Sequence, residues 1–203
     1  NPEHTKAQNN LANLIASREP KEAESLLRAA LDREPDNAEV LTNLANLLSQ
    51  HGRVQESFTL WDKALEVGPV VAATLLNRGE ARLATGRARE GIVDLEEAVR
   101  LEPTFVAARA RLAWHLAVSS TADLRDADRS LALTEGFVNG PRLLDARAAA
   151  FAAQGDFKQA LSIASQAAVQ ARNRGLGSLA SEIEKRVALY SERRPYVQEP
   201  YPR

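Results

Sequence analysis

Residues 38–71 read AEVLTNLANLLSQHGRVQESFTLWDKALEVGPVV, and residues 72–105 read AATLLNRGEARLATGRAREGIVDLEEAVRLEPTF. In the first stretch Leu41, Leu44, Ala45 and Leu48 recur at spacings of three, one and three, which is one apolar face of a helix. Gly52 then breaks the helix and turns the chain. A second helix carries Phe58, Trp61, Ala64 and Leu65 and stops before Gly68-Pro69. The second stretch repeats the plan with Leu75, Gly79, a turn at Gly86, then Ile92, Leu95, Ala98 and Pro103. Pro35, Pro69 and Pro103 stand 34 residues apart, as do Ala30, Ala64 and Ala98. A fixed period of this size marks stacked pairs of helices. Helices of about 12–14 residues are marginal alone in water, so their stability must come from packing on neighbours.

Outward from these two units the pattern loosens. Asn10-Leu11-Ala12-Asn13-Leu14-Ile15 nearly repeats Asn43 to Leu48, at an offset of 33 rather than 34. The shortfall is assigned to the turn, where Pro20 replaces a glycine and opens the second helix. Asp36-Asn37-Ala38-Glu39 reads as a capping box for the next unit. Beyond residue 105, Leu112, Ala113 and Leu116 open a fourth unit, and Ser119–Asp123 lengthens its loop. Its second helix is expected over about Arg125–Val138, with Leu131 and Phe137 in pattern. A fifth unit starts at Gly140-Pro141 and keeps Leu144, Ala148, Phe151, Gly155, Ala160, Ala164 and Ala167 in register. Leu176–Tyr190 is a single amphipathic helix bearing Leu179, Ile183, Val187 and Tyr190, suited to cap the last apolar face. The tail after Pro195 carries no helical signal.

At these positions the chain resembles the tetratricopeptide repeat family. The small residues Ala45 and Gly79, the turn glycines Gly52 and Gly86, Ala64, Ala98 and the closing prolines carry the likeness, which runs from about Thr5 to Asn173. It implies an all-α fold, an α-α superhelix (solenoid) of about five helix pairs over 5–37, 38–71, 72–105, 106–140 and 141–174. A capping helix over 175–192 and an extended tail over 193–203 complete the expected organisation. In that family the first helices line a concave groove. A narrower resemblance joins Leu112–Ala117, Leu124-Arg125-Asp126, Leu144-Asp145, Gly155-Asp156-Phe157, Val187–Tyr190 and Arg194-Pro195-Tyr196 to the ending of a large bacterial group of such proteins. There the array follows catalytic or membrane-spanning segments. This likeness implies that Arg203 lies at or near the C-terminus and that the missing sequence is N-terminal. That missing sequence would supply any membrane anchor; the compartment is left open, with the extracytoplasmic (periplasmic) face of a membrane-attached protein as the alternative.

Two rows are expected to face the groove. Asn10, Asn43, Asn77 and Arg111 form one, and Asn13, Asn46, Glu80 and Trp114 lie three residues further on. Side-chain amides both donate and accept, so a ladder of them can satisfy an extended peptide backbone without reading its sequence. The row resembles the asparagine ladder of O-linked N-acetylglucosamine transferases, with Arg111 replacing the fourth rung. Hydrogen bonding between helices is the other reading of the same asparagines. Trp114 is either an anchor for a partner or a packing residue beneath the long loop. Trp61 belongs to the core. Arg78 and Arg147 occupy places usual for leucine, and should snorkel or pair with an acid such as Glu80 or Asp145.

The remaining composition narrows the function. Lys plus Arg is 26 against 27 for Asp plus Glu, a net charge of −1 that gives no footprint for nucleic acid. Absence of cysteine removes disulfides and thiolate metal sites, and fits either a reducing or an oxidising compartment. No run of about 18 apolar residues suggests a membrane span. His4, His51 and His115 are far apart in the repeat plan, without a partner at metal-ligand spacing, and no phosphate loop or nucleophile elbow is present. We therefore expect no cofactor, no metal and no catalysis. The expected function is a scaffold module holding a peptide or partner protein in its groove. Two alternatives are the recognition arm of a larger enzyme, such as a glycosyltransferase, and a structural subunit docked on a membrane complex by its outer face and tail.

Overall fold

The computed structural model describes residues 2–137 and 140–199, and all regular structure among them is helical. The chain divides at Arg82 and Leu83 into two compact units. The first holds α1 (Pro2–Ile15), α2 (Pro20–Leu31), α3 (Ala38–Gln50), α4 (Val54–Val67) and most of α5 (Ala72–Ala84). Short turns fold α1 onto α2 and α3 onto α4 as antiparallel hairpins, and α2 also packs on α3. The period explains the packing. Ala30 and Ala64 are buried, and their small side chains let neighbouring helices approach closely. Leu27, Ala30, Val40, Leu44 and Leu48 form one cluster, while Ala45, Phe58, Trp61 and Ala81 form another.

Gly52 lies at φ 79°, a left-handed conformation that favours glycine, and closes the three-residue turn 51–53. The α1–α2 turn is different. Expected to be one residue short, it is instead four residues long (16–19), because α1 stops early at Ile15. The carbonyl of Ile15 accepts from the backbone N–H of both Arg18 and Glu19, and Pro20 then starts α2. The cap of α3 also differs from the expected box. Asn37 is the N-cap, its side chain accepting from the Val40 N–H at 3.1 Å, and Glu39 is engaged elsewhere.

The second unit holds α6 (Ala88–Leu101), α7 (Val106–Val118), a 3-10 turn (Ala122–Leu124), α8 (Ala127–Thr134), α9 (Pro141–Ala153), α10 (Phe157–Asn173) and α11 (Gly177–Ser191). Packing runs α6–α7–α9–α10–α11, with α8 against both α7 and α9. Alanine dominates the α9–α11 core: Ala148, Ala152, Ala160, Ala164, Ala167, Ala171 and Ala180 surround Leu144, Ile183 and Tyr190. Helix α8 is shorter than the sequence suggested, and Val138 lies outside the described residues. Its fully buried residues are Ser130 and Thr134, whereas Leu131 and Phe137 are half-buried. Ser130 donates to the Ala113 carbonyl at 2.7 Å, and Asp126 caps the helix by accepting from the Arg129 N–H. Ser130 keeps the small residue that Ser57 and Gly91 place at the same point of α4 and α6. Thr134, donating to the Leu131 carbonyl, stands where Trp61 and Leu95 are large and apolar.

After α11 the chain turns at Arg193, which takes a positive φ of 56°, and residues 194–199 run without regular structure onto α7.

Candidate functional site

In the first unit a groove of about 450 Å³ runs beside α3 and α5. Its polar wall is Glu39, Thr42, Asn43, Asn46, Thr74 and Asn77, and its apolar wall includes Ala64, Leu65, Pro69 and Val71. The amides are held by a chain of hydrogen bonds. Asn77 Nδ2 donates to Asn46 Oδ1 at 2.9 Å, and the same oxygen accepts from the buried Trp61 Nε1 at 3.0 Å. Asn43 Nδ2 donates to Asn9 Oδ1 at 2.8 Å, and Asn9 Nδ2 donates to Glu39 Oε1 at 2.7 Å. Thr42 and Thr74 share a bond of 3.2 Å. Asn9, Asn43 and Asn77 thus each spend one donor on a neighbour, and Asn46 accepts two bonds through one oxygen. Among the described residues nothing donates to the Oδ1 atoms of Asn43 and Asn77.

Of the eight residues read from the sequence, Asn43, Asn46 and Asn77 share this groove. Asn10 and Asn13 are exposed on α1 and do not line it, and Glu80 is half-buried on α5. Asn9, which the sequence rows passed over, is 2% exposed and makes the contact to Asn43, 34 residues away. Repetition identifies equivalent positions; it does not say which residue of α1 reaches across to α3. An asparagine 34 residues before Asn43 was nevertheless a signal in the sequence.

Arg111 and Trp114 line a different, smaller cavity of about 200 Å³ in the second unit, with Arg142, Asp145, Glu182 and Arg186. Its centre is a buried ion pair between α9 and α11. Arg186 grips Asp145 through two bonds, Nε at 3.0 Å and a terminal nitrogen at 2.6 Å. Burial pushes the Asp145 carboxyl up from its ordinary range, and Arg186 pulls it back down. The guanidinium also lies over the rings of Trp114 (4.8 Å to the centroid) and Tyr196 (5.5 Å). The acid anticipated for Arg147 is therefore taken by Arg186, and Arg147 lies over Phe151. Arg78 bonds Asp62 at 2.6 Å.

A third cavity, about 450 Å³, is lined by His115, Ser119, Ser120, Thr121 and Gln198. His115 is 7% exposed. Burial, reinforced by Arg111, lowers its pKa from 6.5 to about 4. The unfolded chain binds a proton near pH 6.5 that the native fold refuses until about pH 4, so stability falls on acidification through that window. Wild type should lose about 3 kcal/mol more than His115→Gln between those pH values, measured by urea unfolding. Equal losses would show that the imidazole is not held neutral. Among the described residues no three His, Asp or Glu side chains gather as a metal-binding group. None of the described helices is long and apolar enough to cross a membrane.

Helix hairpins closed by short turns and joined through small buried residues define the class, a repeat protein of α-hairpins. Over residues 14–70 the chain matches the family model described as tetratricopeptide repeat. The TPR repeat-containing thioredoxin TTL4 of Arabidopsis thaliana is 32% identical over 80 residues, 39% of this chain. The chain spans 12% of the length of that relative. Two solved structures share the fold. One is YrrB, described as a TPR protein with an unusual peptide-binding site, at TM-score 0.65 and 20% identity over 88% of this chain and 90% of that one. The other is a tetratricopeptide repeat protein of Parabacteroides merdae, at TM-score 0.72 and 15% identity over 94% and 75%. Period, family match and fold agree: residues 14–70 carry the tetratricopeptide repeat, and the described chain has an all-α fold of the solenoid class.

Proposed function

We propose that this chain is a non-enzymatic interaction module that holds an extended peptide, or an extended segment of a partner protein, in the groove of the first unit. The observation that carries this reading is the state of the amides there. Asn43 and Asn77 are half-buried, fixed in place by Asn9 and Asn46, and keep carbonyl oxygens that no described residue uses. Fixed acceptors cost little further entropy on binding, and the facing Leu65, Pro69 and Val71 offer apolar area to alternate side chains of a bound strand. YrrB, of the same fold, has a peptide-binding site by its description, which supports peptides as the ligand class. On this reading the array comprises five hairpin units, with α11 as the cap.

The test is selection of peptides on the immobilised chain from a display library, followed by affinity measurement on Asn43→Ala/Asn77→Ala. Each substitution removes one hydrogen bond, about 1 kcal/mol of stability, so the helical melt is followed alongside. With the fold retained, affinity should fall about tenfold or more, matching the loss of two amide contacts. Undiminished affinity would remove the groove from the account.

A further inference from the structure

Residues 194–199 lie on α7 as a bound peptide would. Side-chain burial alternates along the segment: Tyr196 and Gln198 are half-buried, while Pro195, Val197 and Glu199 are exposed. That two-residue period is the signature of an extended strand held by one face. The Gln198 N–H donates to the Val118 carbonyl at 2.7 Å, satisfying one of the carbonyls left open at the end of a helix. Trp114 Nε1 donates to the Gln198 side-chain oxygen at 3.3 Å. The Tyr196 ring lies 5.7 Å from that of Trp114 at an angle of 33°, with the Arg186 guanidinium over both. Ala149 and Ala150 of α9 complete the floor.

The receiving side is built independently of this segment. Asp145 clamps Arg186 in a buried, bidentate pair, and Arg186 sits over Trp114. Apart from the Arg194 N–H, which closes the end of α11 on the Leu189 carbonyl, the incoming side contributes to this face one backbone bond, one long side-chain bond and one ring. It follows a pivot, Arg193, in a conformation uncommon for a residue with a side chain. A rigid recognition face is therefore covered by a lightly attached strap.

We infer that the Trp114 face of α7 is a docking surface for an extended peptide carrying an aromatic residue followed two positions later by an amide, and that residues 194–199 are its resident, displaceable occupant. The aromatic ring fills the slot beside Trp114 and Arg186, the amide accepts from the indole, and the backbone caps α7. A peptide of the same chemistry competes with the strap, so affinity is set by the fraction of chains with the strap open.

The experiment uses a fluorescein-labelled peptide of residues 194–199, RPYVQE, and fluorescence anisotropy. A chain ending at Arg193 should bind it saturably, and the intact chain should bind at least about tenfold more weakly because its own strap occupies the face. A peptide with alanine in place of the tyrosine and glutamine should not bind the shortened chain. Should the shortened chain lose its helical melt, the intact chain with Tyr196→Ala and Gln198→Ala takes its place, and it too should bind the peptide more tightly than wild type. The inference is overturned if the folded, strap-free chain does not bind RPYVQE, if intact and strap-free chains bind it equally, or if the alanine peptide binds as well. None of these outcomes involves the first-unit groove, so that reading stands or falls separately.

Discussion

Arg186→Ala should be among the most damaging single substitutions in the second unit, costing about 3–5 kcal/mol. The argument is one of imbalance. Arg186 and Asp145 have side-chain exposures of 7% and 5%, and their pairing offsets the cost of taking both charges out of water. Removing the guanidinium leaves a buried carboxylate with nothing to hold it, and strips the cation from the Trp114 and Tyr196 rings. The loss should be read by hydrogen exchange as faster opening of α9 and α11, the helices the pair joins. A second signature separates charge imbalance from lost packing. Burial already holds the Asp145 pKa above its ordinary value, and losing Arg186 raises it further, so the variant should regain more stability than wild type as pH falls through that raised pKa. Replacing both partners by apolar residues, Asp145→Leu with Arg186→Met, should cost far less than either single change. If Arg186→Ala melts like wild type, the buried pair contributes nothing and this account of the second unit is wrong.

Trp61→Ala should have a comparable effect in the first unit, about 3–5 kcal/mol, measured by denaturant unfolding. The indole is 1% exposed and packs on Ala45, Phe58 and Ala81, with the Phe58 ring 6.0 Å away. Truncation leaves a cavity among alanines, which cannot collapse to fill it. Trp61 also ties the core to the groove, since its Nε1 and Asn77 Nδ2 donate to the same oxygen of Asn46. Trp61→Phe keeps most of the apolar area and removes only that bond. Combined with Asn77→Ala in a double-mutant cycle, it should show a coupling of about 0.5 kcal/mol or more, because both act through Asn46. Strict additivity would mean that the groove amides are positioned without the core.

Much of the helical plan could be read from spacing, because the repeat is itself a packing rule. Ala30, Ala64 and Ala98 recur at a fixed interval and are all buried, and Trp61 sits in the core as its place on α4 required. Features set by contacts between distant positions were hidden. Arg186 reads as one charge on an amphipathic helix, and only its partner 41 residues away makes it interior. Trp114 reads as an oddity on a groove-facing row, and the residue that bonds its indole is 84 positions further on. Asn9 stands one residue from the row drawn through Asn10, yet one residue on a helix is a rotation of about 100°, enough to separate a buried amide from an exposed one. Helix α8 escaped a periodic reading because its buried face is Ser130 and Thr134, whose burial depends on carbonyl partners rather than apolar spacing.

The central claim is that the first-unit amides hold a ligand, and the most direct measurement is on the amides themselves. Side-chain N–H₂ signals of Asn43, Asn46 and Asn77 are to be followed by ¹⁵N-correlated NMR while a display-selected peptide is titrated into the intact chain. All three should shift together and saturate with the dissociation constant measured by anisotropy. A peptide that binds with the same constant while those signals stay still would place the ligand elsewhere and contradict the account.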